Sequence, residues 1–306
     1  MNIRFTQTAP FTLSSDLDLG GSLAFPLRRQ ATADIEIAQG PVPDALPCEP
    51  FDTGFYVNGD QVLLQLDRKH AFLIEGGERV TYRPGPNATA FLTGTVIGIL
   101  CYQRRLLPLH ASAVVKAGRV HAFTGPPGSG KSSMALALAN SECAFFTDDI
   151  LAINSNHGDH IQCYAIQRLA KLWSDSLDKL KAEQVGEAYC RNGKVKHLAK
   201  VDRPEAAVGA RQGELASLSL VVAQSCKSTV FEELRGSDAM RLLVGSIYRP
   251  QFGEQICGKA WMFEQLCRVA RHISVHRLTR PTGWEALPET TKHVTQHLIS
   301  CASQSH

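Results

Sequence analysis

The residues best suited to chemistry form a glycine-rich run that ends in a lysine and a serine. Residues 125–132 read Gly-Pro-Pro-Gly-Ser-Gly-Lys-Ser and match the pattern G-x-x-x-x-G-K-[ST] at every specified position. Glycines let backbone N–H groups turn inward around phosphate oxygens, and a following helix adds the positive end of its dipole. Lys131 would neutralise the β- and γ-phosphates, and Ser132 would offer a hydroxyl to Mg²⁺. The run therefore predicts a phosphate-binding loop for a nucleotide.

Three further residues could complete a site around such a loop. Asp148 and Asp149 follow the short apolar run 143–146. A carboxylate there could hold Mg²⁺, and a second could accept the proton of an attacking hydroxyl. An acidic pair in a turn between strands is the alternative. His110 precedes a strand-like segment, and taken alone a histidine is more often a core or surface residue than a catalytic one.

The elements around the loop have the order that phosphate binding requires. Residues 119–124 form an apolar, strand-like run, and residues 131–140 are rich in Ala, Leu and Met, which favours a helix. A second strand is expected at 111–116, across the turn at Ala117-Gly118. The apolar stretch 91–100 is about half the length of a membrane span, so we interpret it as part of a buried helix over about 90–107.

The N-terminal part of the sequence indicates β-structure. Apolar runs flank Asn58-Gly59, and others flank Gly76-Gly77, so two hairpins are expected. Residues 1–48 give no clear periodicity. We therefore predict a small, mostly β domain over residues 1–90 and an α/β domain over residues 91–306.

The C-terminal third alternates between helix and strand patterns. A strand is expected at 218–223 and another at 273–278, with a last helix near 284–300. Ser237 could cap a helix that ends at Arg249-Pro250, with an apolar face at Met240, Leu243, Val244 and Ile247. His293 and His297 have the i, i+4 spacing of a metal pair, but without a third ligand we interpret them as surface residues. Trp173, Trp261 and Trp284 are expected in the core.

Composition excludes several classes of protein. The 306 residues carry a net charge of +3, with 44% hydrophobic and 20% charged residues, which is ordinary for a globular protein and too mild for nucleic-acid binding. The 9 cysteines include no Cys-x-x-Cys pair, which favours reduced thiols in the cytoplasm. The first twenty residues carry Asp16 and Asp18 and no sustained apolar run, so neither a signal peptide nor a membrane partner is expected.

Together, these motifs resemble the catalytic core of HPr kinase/phosphorylase. The resemblance rests on residues 109–114, on Gly125–Ser133 and on Thr147-Asp148-Asp149, and it is firm over about residues 100–155. Lys131 follows His110 by 21 residues, and Asp148 follows Lys131 by 17, as in that family. Weaker similarity extends over 168–180, which includes Lys171, and over 231–236. The resemblance implies an α/β P-loop fold with a mixed sheet, similar to the nucleotide domain of phosphoenolpyruvate carboxykinase.

The resemblance also implies roles for individual residues. Transfer of a phosphoryl group from ATP, with Mg²⁺, to a serine of a peptide or small protein is the implied reaction. Asp148 would be the base for the substrate hydroxyl, Asp149 and Ser132 would bind the metal, and His110 would support them with Lys131. The implied nucleotide-binding residues are Gly125, Pro126, Pro127, Gly128, Ser129, Gly130, Lys131, Ser132 and Ser133. A homo-oligomer is implied as well, because members of the family tend to form oligomers.

The sequence also departs from the bacterial regulatory enzymes of that family. Ser133 stands where those enzymes usually carry Glu, and neither their C-terminal signature nor their N-terminal part is found. The chain is more similar to the shorter HPr-kinase-like proteins of peptide-modification systems, some of which phosphorylate a lasso-type precursor peptide. Two alternatives stay open: a nucleotide-binding regulator or NTPase without a phosphate acceptor, and a kinase of a small metabolite.

Overall fold

The protein has a mixed α/β architecture. The structure is a computed structural model that describes residues 4–19, 25–26, 32–67, 69–85, 87–156, 158–188, 195–201 and 212–303. Within these residues there are three sheets, of 8, 9 and 3 strands. The two larger sheets combine parallel and antiparallel pairs, and a mixed sheet is what the resemblance implied for the α/β region.

The N-terminal strands form the 8-stranded sheet, whose order is β3-β1-β2-β4-β8-β7-β6-β5. Both hairpins expected from the sequence are present, as β5–β6 and β7–β8. Strands β1 to β4 had no clear pattern, and β4 joins the sheet by parallel pairing to both β2 and β8. The strands are β1 (Arg4–Thr8), β2 (Phe11–Ser15), β3 (Phe25–Pro26), β4 (Ile35–Gln39), β5 (Phe55–Asn58), β6 (Gln61–Asp67), β7 (His70–Glu75) and β8 (Arg79–Arg83).

A buried helical segment follows this sheet. It consists of α1 (Ala88–Phe91), one stretch of π-helix (Leu92–Val96) and α2 (Ile97–Gln103). Close packing explains its small residues, because a Cβ added at Gly98 would lie 2.8 Å from the ring of Tyr248. The predicted helix extended to about residue 107, but α2 ends at Gln103 and strand β9 already begins at Leu107.

The remaining strands build the other two sheets. They are β9 (Leu107–Leu109), β10 (Ser112–Lys116), β11 (Arg119–Thr124), β12 (Ala144–Thr147), β13 (Leu151–Asn154), β14 (Gln162–Ala165), β15 (Ala170–Leu172), β16 (Gln184–Ala188), β17 (Lys196–Ala199), β18 (Gln212–Gln224), β19 (Val230–Glu233) and β20 (Ser274–Pro281). The 9-stranded sheet has the order β12-β10-β11-β18-β14-β13-β9, and β20 pairs with both β18 and β19. Strands β15, β17 and β16 form the small sheet.

Strand β18 organises the larger of these sheets. It runs parallel to β11 on one side and parallel to β20 on the other. The carboxyl ends of β11 and β20 therefore lie at the same edge of the sheet, where open α/β sheets bind their ligands.

Six further helices follow the buried helical segment within the described residues. They are α3 (Lys131–Ala139), α4 (Ser174–Leu180), α5 (Gly236–Gly245), α6 (Pro250–Ile256), α7 (Lys259–His272) and α8 (Leu287–Ser303). Helices α3 and α8 share one apolar cluster with the sheet, through side chains that include Met134, Leu138, Val294 and Leu298.

The helix predicted after Ser237 differs in its face and its ends. Arg235 occupies the N-cap position of α5, and no side chain caps the helix. The buried residues are Ala239, Leu242 and Leu243, whereas Val244 is 49% exposed. Pro250 begins a new helix, α6. Proline is favourable there, because an N–H group in the first helical turn would have no partner within the helix.

Among the described helices, none combines the length and the apolar character that crossing a membrane requires.

Candidate active site

The glycine-rich loop lies at the carboxyl end of β11 and leads directly into α3. Gly125, Gly128 and Gly130 have φ angles of 143°, 84° and 94°, which favour glycine. Gly130 is also needed for space, because a Cβ there would lie 2.6 Å from Nη2 of Arg280. The order of strand, loop and helix is therefore the one that the motif predicted.

The side chain of Lys131 lies over its own loop. Its Nζ donates to the carbonyl oxygens of Gly125 at 2.7 Å and Pro126 at 3.3 Å. The residue is 8% exposed. Burial lowers the pKa of this ammonium group, and nearby Asp148 partly opposes that shift. The ammonium group is thus held above the loop by weak carbonyl acceptors, which a phosphate could replace.

Asp148 is the hydrogen-bonding centre of the site. Its Oδ1 accepts hydrogen bonds from the hydroxyls of Ser112 at 2.5 Å and Ser132 at 2.9 Å. Its Oδ2 accepts the backbone N–H of Lys171 at 2.7 Å, and the residue is only 1% exposed. The contact with Ser132 joins the carboxylate to the hydroxyl expected at the metal.

Asp149 lies between two basic groups. Nζ of Lys171 is 2.7 Å from its Oδ2, and Nδ1 of His110 is 3.3 Å from its Oδ1. Burial alone would raise the pKa of the Asp149 carboxyl, but Lys171 and then His110 outweigh it, so the pKa is well below the usual value. Burial would likewise lower the pKa of Lys171, but the facing carboxylate raises it. Asp149 and Lys171 therefore form a charged pair near neutral pH.

Backbone geometry brings the two aspartates to one site. Neighbouring residues of a regular strand point to opposite faces. Asp149 has a φ of 67°, a left-handed conformation that aspartate tolerates better than most residues. It follows the end of β12, and both carboxylates consequently border the same cavity.

This cavity has a volume of about 330 Å³, at the lower end of the range of about 300–1,000 Å³ for small-molecule sites. It is bordered by the loop, by both aspartates and by groups from distant parts of the chain. The distant residues include Lys171, Trp173, Ser176, Lys196, Arg280 and Trp284.

Arg280 brings a guanidinium group from the end of β20 to the loop. Its Nη1 donates to the carbonyl of Pro281 at 3.1 Å, and its Nη2 lies 3.5 Å from the carbonyl of Ser129. Its Nε is buried without a hydrogen-bond partner among the described residues. A half-buried guanidinium with an unpartnered donor, next to a loop of this type, fits an anionic ligand.

The structure brings together most of the residues expected from the sequence. His110, Lys131, Ser132, Asp148 and Asp149 border one cavity, together with Pro127, Gly128, Gly130 and Ser133. Gly125, Pro126 and Ser129 belong to the loop but not to the cavity lining. The Ser133 hydroxyl donates to Ser176 at 3.2 Å.

Other functional candidates were missed or assigned differently. Lys171 and Ser112 lay in segments that carried the family resemblance but were not predicted as site residues. Trp173 and Trp284, expected in the core, are partly buried and border the cavity. Lys196 comes from a loose basic stretch of the sequence and borders the cavity. Its Nζ lies 5.1 Å from the ring centre of Trp173, while Arg191, Lys194 and Arg203 of the same stretch lie outside the described residues.

Comparison with known proteins adds little to this geometry. No protein-family model matches the sequence, and no curated protein matches it. Among solved structures, the chain is similar to the Hpr(Ser) kinase/phosphatase from Coxiella burnetii. The identity is 13%, the match covers 63% of this chain and 97% of that chain, and the TM-score is 0.31. The similarity to that kinase/phosphatase is distant, and values this low define neither the fold nor the activity of this chain.

Proposed function

We propose that the protein is an ATP- and Mg²⁺-dependent kinase that transfers a phosphoryl group to a serine of a peptide or small protein. The observation that carries the proposal is the pair of carboxylates beside the loop, one bonded to Ser132 and the other paired with Lys171. A phosphate-binding loop alone would support nucleotide binding. With two carboxylates, one can bind on the metal side while the other accepts the proton of an acceptor hydroxyl.

In phosphoryl transfer, different residues of the site would bind the phosphates and the metal. The loop N–H groups, Lys131 and Arg280 would bind and neutralise the phosphates, which is the main requirement of this reaction. Ser132 and Asp149 would supply oxygen ligands for Mg²⁺. The metal, when bound, supplies charge neutralisation at the phosphates.

We assign the role of base to Asp148. Lys171 and His110 hold the pKa of Asp149 well below the usual value, so this carboxylate is a poor proton acceptor. Asp148 accepts three hydrogen bonds, and that from Ser132 would be given up when the serine hydroxyl turns to the metal. Asp149 would then stay in its pair with Lys171 and bind on the metal side, with His110 fixing its orientation.

Transfer from labelled ATP tests the proposal. The full chain with Mg²⁺ should label a peptide encoded beside its gene or, in a separate arm, HPr. Lys131→Ala should abolish labelling, whereas Lys116→Ala, at the end of β10 and paired with exposed Glu142, should not. Slow conversion of ATP to ADP with no labelled peptide or protein would instead support an NTPase. Mass spectrometry would identify a phosphorylated metabolite.

Separate variants of the two aspartates test their roles. Asp148→Asn should lose transfer by at least a hundredfold while Mg²⁺-dependent ATP binding persists, since a general base contributes roughly 10²–10⁴-fold. Asp149→Asn should weaken the dependence of ATP binding on Mg²⁺. Full transfer by Asp148→Asn would contradict its assignment as the base.

A further inference from the structure

A second group of reactive side chains lies away from the cavity, between strand β20 and helix α8. His276, His297 and Cys301 each offer one donor atom, and these atoms all lie within 4.8 Å of one another. Nε2 of His297 and Sγ of Cys301 are 3.3 Å apart. We refer to these three residues as the histidine–cysteine cluster.

The local structure explains why the three side chains meet. His297 and Cys301 are four residues apart on α8, so they lie on one face of the helix. His276 projects from β20, and its ring contacts that of His297 edge to face, with centroids 4.7 Å apart. Phe231 of β19 stacks on His297 at 3.7 Å and holds its ring in place. His293, one turn earlier, is instead exposed and lies 3.5 Å from Glu289.

Unpartnered polar atoms give a second, independent indication of a ligand. His276 is 5% exposed, and its Nδ1 is buried without a hydrogen-bond partner among the described residues. The same holds for Oγ of Ser219 and Nε2 of His121, which are 1% and 0% exposed as residues. Such an atom destabilises the fold when it stays unsatisfied, because it has lost its hydrogen bonds to water.

These atoms share one face of the sheet. His276 is directly opposite Ser219, and His121 is opposite Ser217, whose hydroxyl lies 2.9 Å from Nδ1 of His121. Since residues 217 and 219 of one strand point to the same side, all of these side chains point to the same side. Phe123, opposite Ser219, packs in the cluster that contains Val294 and Leu298 of α8. The polar atoms therefore lie beneath the helix that carries His297 and Cys301.

We propose that the histidine–cysteine cluster binds a divalent transition-metal ion, for which Zn²⁺ is the probe, with His276, His297 and Cys301 as ligands. Imidazole and thiolate donors select Zn²⁺ over Mg²⁺, in contrast to the oxygen donors of the cavity. With Zn–S of about 2.3 Å and Zn–N of about 2.0 Å, a tetrahedral site separates the two atoms by roughly 3.5 Å. The distance of 3.3 Å between His297 and Cys301 is close to that value.

The protonation states suit this role. Burial lowers the pKa of His276, and burial together with His276 lowers that of His297 to about 4, so both rings are neutral at pH 7. Burial raises the pKa of the Cys301 thiol, so the metal must displace its proton, and binding should weaken as the pH falls. A bound ion would link α8 to β20 at His276. This position is four residues before Arg280, which borders the candidate active site.

Metal binding is measured on the tag-free full chain. Wild type should bind one Zn²⁺ per chain, and the ion should protect Cys301 from iodoacetamide. The partly buried thiols of Cys226 and Cys267 should react equally with and without Zn²⁺, as internal controls. Zn²⁺ should also raise the Tm of wild type, and Mg²⁺ should not.

Matched variants locate the ion. Cys301→Ser and His297→Gln should lose the Zn²⁺-dependent rise in Tm, while His293→Gln on the same helix should keep it. With Co²⁺ as the probe, wild type should show a thiolate charge-transfer absorption that Cys301→Ser lacks. No Zn²⁺ bound by wild type, an unprotected Cys301, or the same rise in Tm in all variants would overturn the proposal.

Discussion

Asp149 and Lys171 form a close ion pair at the candidate site, with 2.7 Å between Oδ2 and Nζ. Both side chains are largely buried, with 18% and 16% exposure, and each shifts the pKa of the other toward the charged form. Removing one member of such a pair leaves an uncompensated charge, which costs more than removing both. The pair therefore allows a double-mutant test.

We expect Asp149→Asn and Lys171→Met each to lower the free energy of unfolding by about 3 kcal/mol at pH 7, and the double variant by less than their sum.

The lowered pKa of Asp149 contributes stability above about pH 3.9, and this is lost as the pH falls through the folded-state pKa. The raised pKa of Lys171 contributes below about pH 10.4, and this is lost as the pH rises. Urea unfolding measures both effects, for the variants at pH 7 and for wild type across these pH values. Additive losses of stability in the two single variants would contradict the pairing.

Arg280 allows a test of ligand binding at a residue that sequence patterns did not identify. Its free Nε and its position beside Ser129 predict a contact with phosphate. We expect Arg280→Gln to raise the dissociation constant for ATP roughly tenfold to a hundredfold, because hydrogen bonds to charged groups are worth about 1.5–3 kcal/mol. Calorimetry measures this constant. Arg277→Gln, on the same strand but paired with exposed Glu232, is the control and should bind ATP normally.

At the scale of elements, the close approach of the loop to β20 depends on Gly130. An alanine there would have a φ of 94° and a Cβ 2.6 Å from Arg280. Gly118, in the turn between β10 and β11, also has a positive φ, of 77°, but no atom of the described residues lies within 4 Å of its added Cβ. Comparing alanine variants at the two glycines therefore distinguishes the effect of backbone strain from that of crowding at the loop.

We expect Gly130→Ala and Gly118→Ala each to lose about 1–2 kcal/mol of stability from backbone strain. Only Gly130→Ala should also weaken ATP binding, since it displaces Arg280 or distorts the loop. Thermal unfolding and calorimetry on both variants measure the two effects. Equal ATP affinity of the two variants would show that crowding at Gly130 has no influence on binding.

Elements with a strong local signal were predictable from the sequence. The hairpin turns at Asn58-Gly59 and Gly76-Gly77 and the strand, loop and helix around Lys131 follow from local preferences of the chain. The site residues at 110, 131, 132, 148 and 149 also converge as expected. Their contacts can be given only by the structure.

The features that the sequence did not predict depend on contacts between segments that are far apart in the chain. Strand β4 is held by parallel neighbours from β2 and β8, which no local pattern encodes. Arg280 reaches the loop only because β20 lies beside β18. The face of α5 was misassigned because its neighbours, rather than its periodicity alone, decide that Val244 stays exposed.

At the scale of the whole molecule, the N-terminal sheet and the rest of the chain share one core. A single apolar cluster contains Leu13, Ile35 and Phe72 of the N-terminal sheet as well as Leu92 and Leu218. Polar links cross the same boundary: Arg104 donates to the carbonyl of Gly77 at 2.8 Å, and the Thr8 hydroxyl donates to that of Ile166 at 2.7 Å. The predicted division at residue 90 thus separates two sheets that are packed together.

This packing predicts that the two regions unfold as one unit. If residues 1–90 formed an independent domain, unfolding would expose its own core without disturbing Trp173, Trp261 or Trp284, all of which follow residue 90. Because the cluster is continuous, we expect tryptophan fluorescence and far-UV circular dichroism to report the same urea midpoint. Phe72 is fully buried in the N-terminal sheet. Phe72→Ala should lower both urea midpoints equally and reduce the free energy of unfolding by about 3–5 kcal/mol. A shift in circular dichroism alone would mean that the N-terminal sheet unfolds by itself.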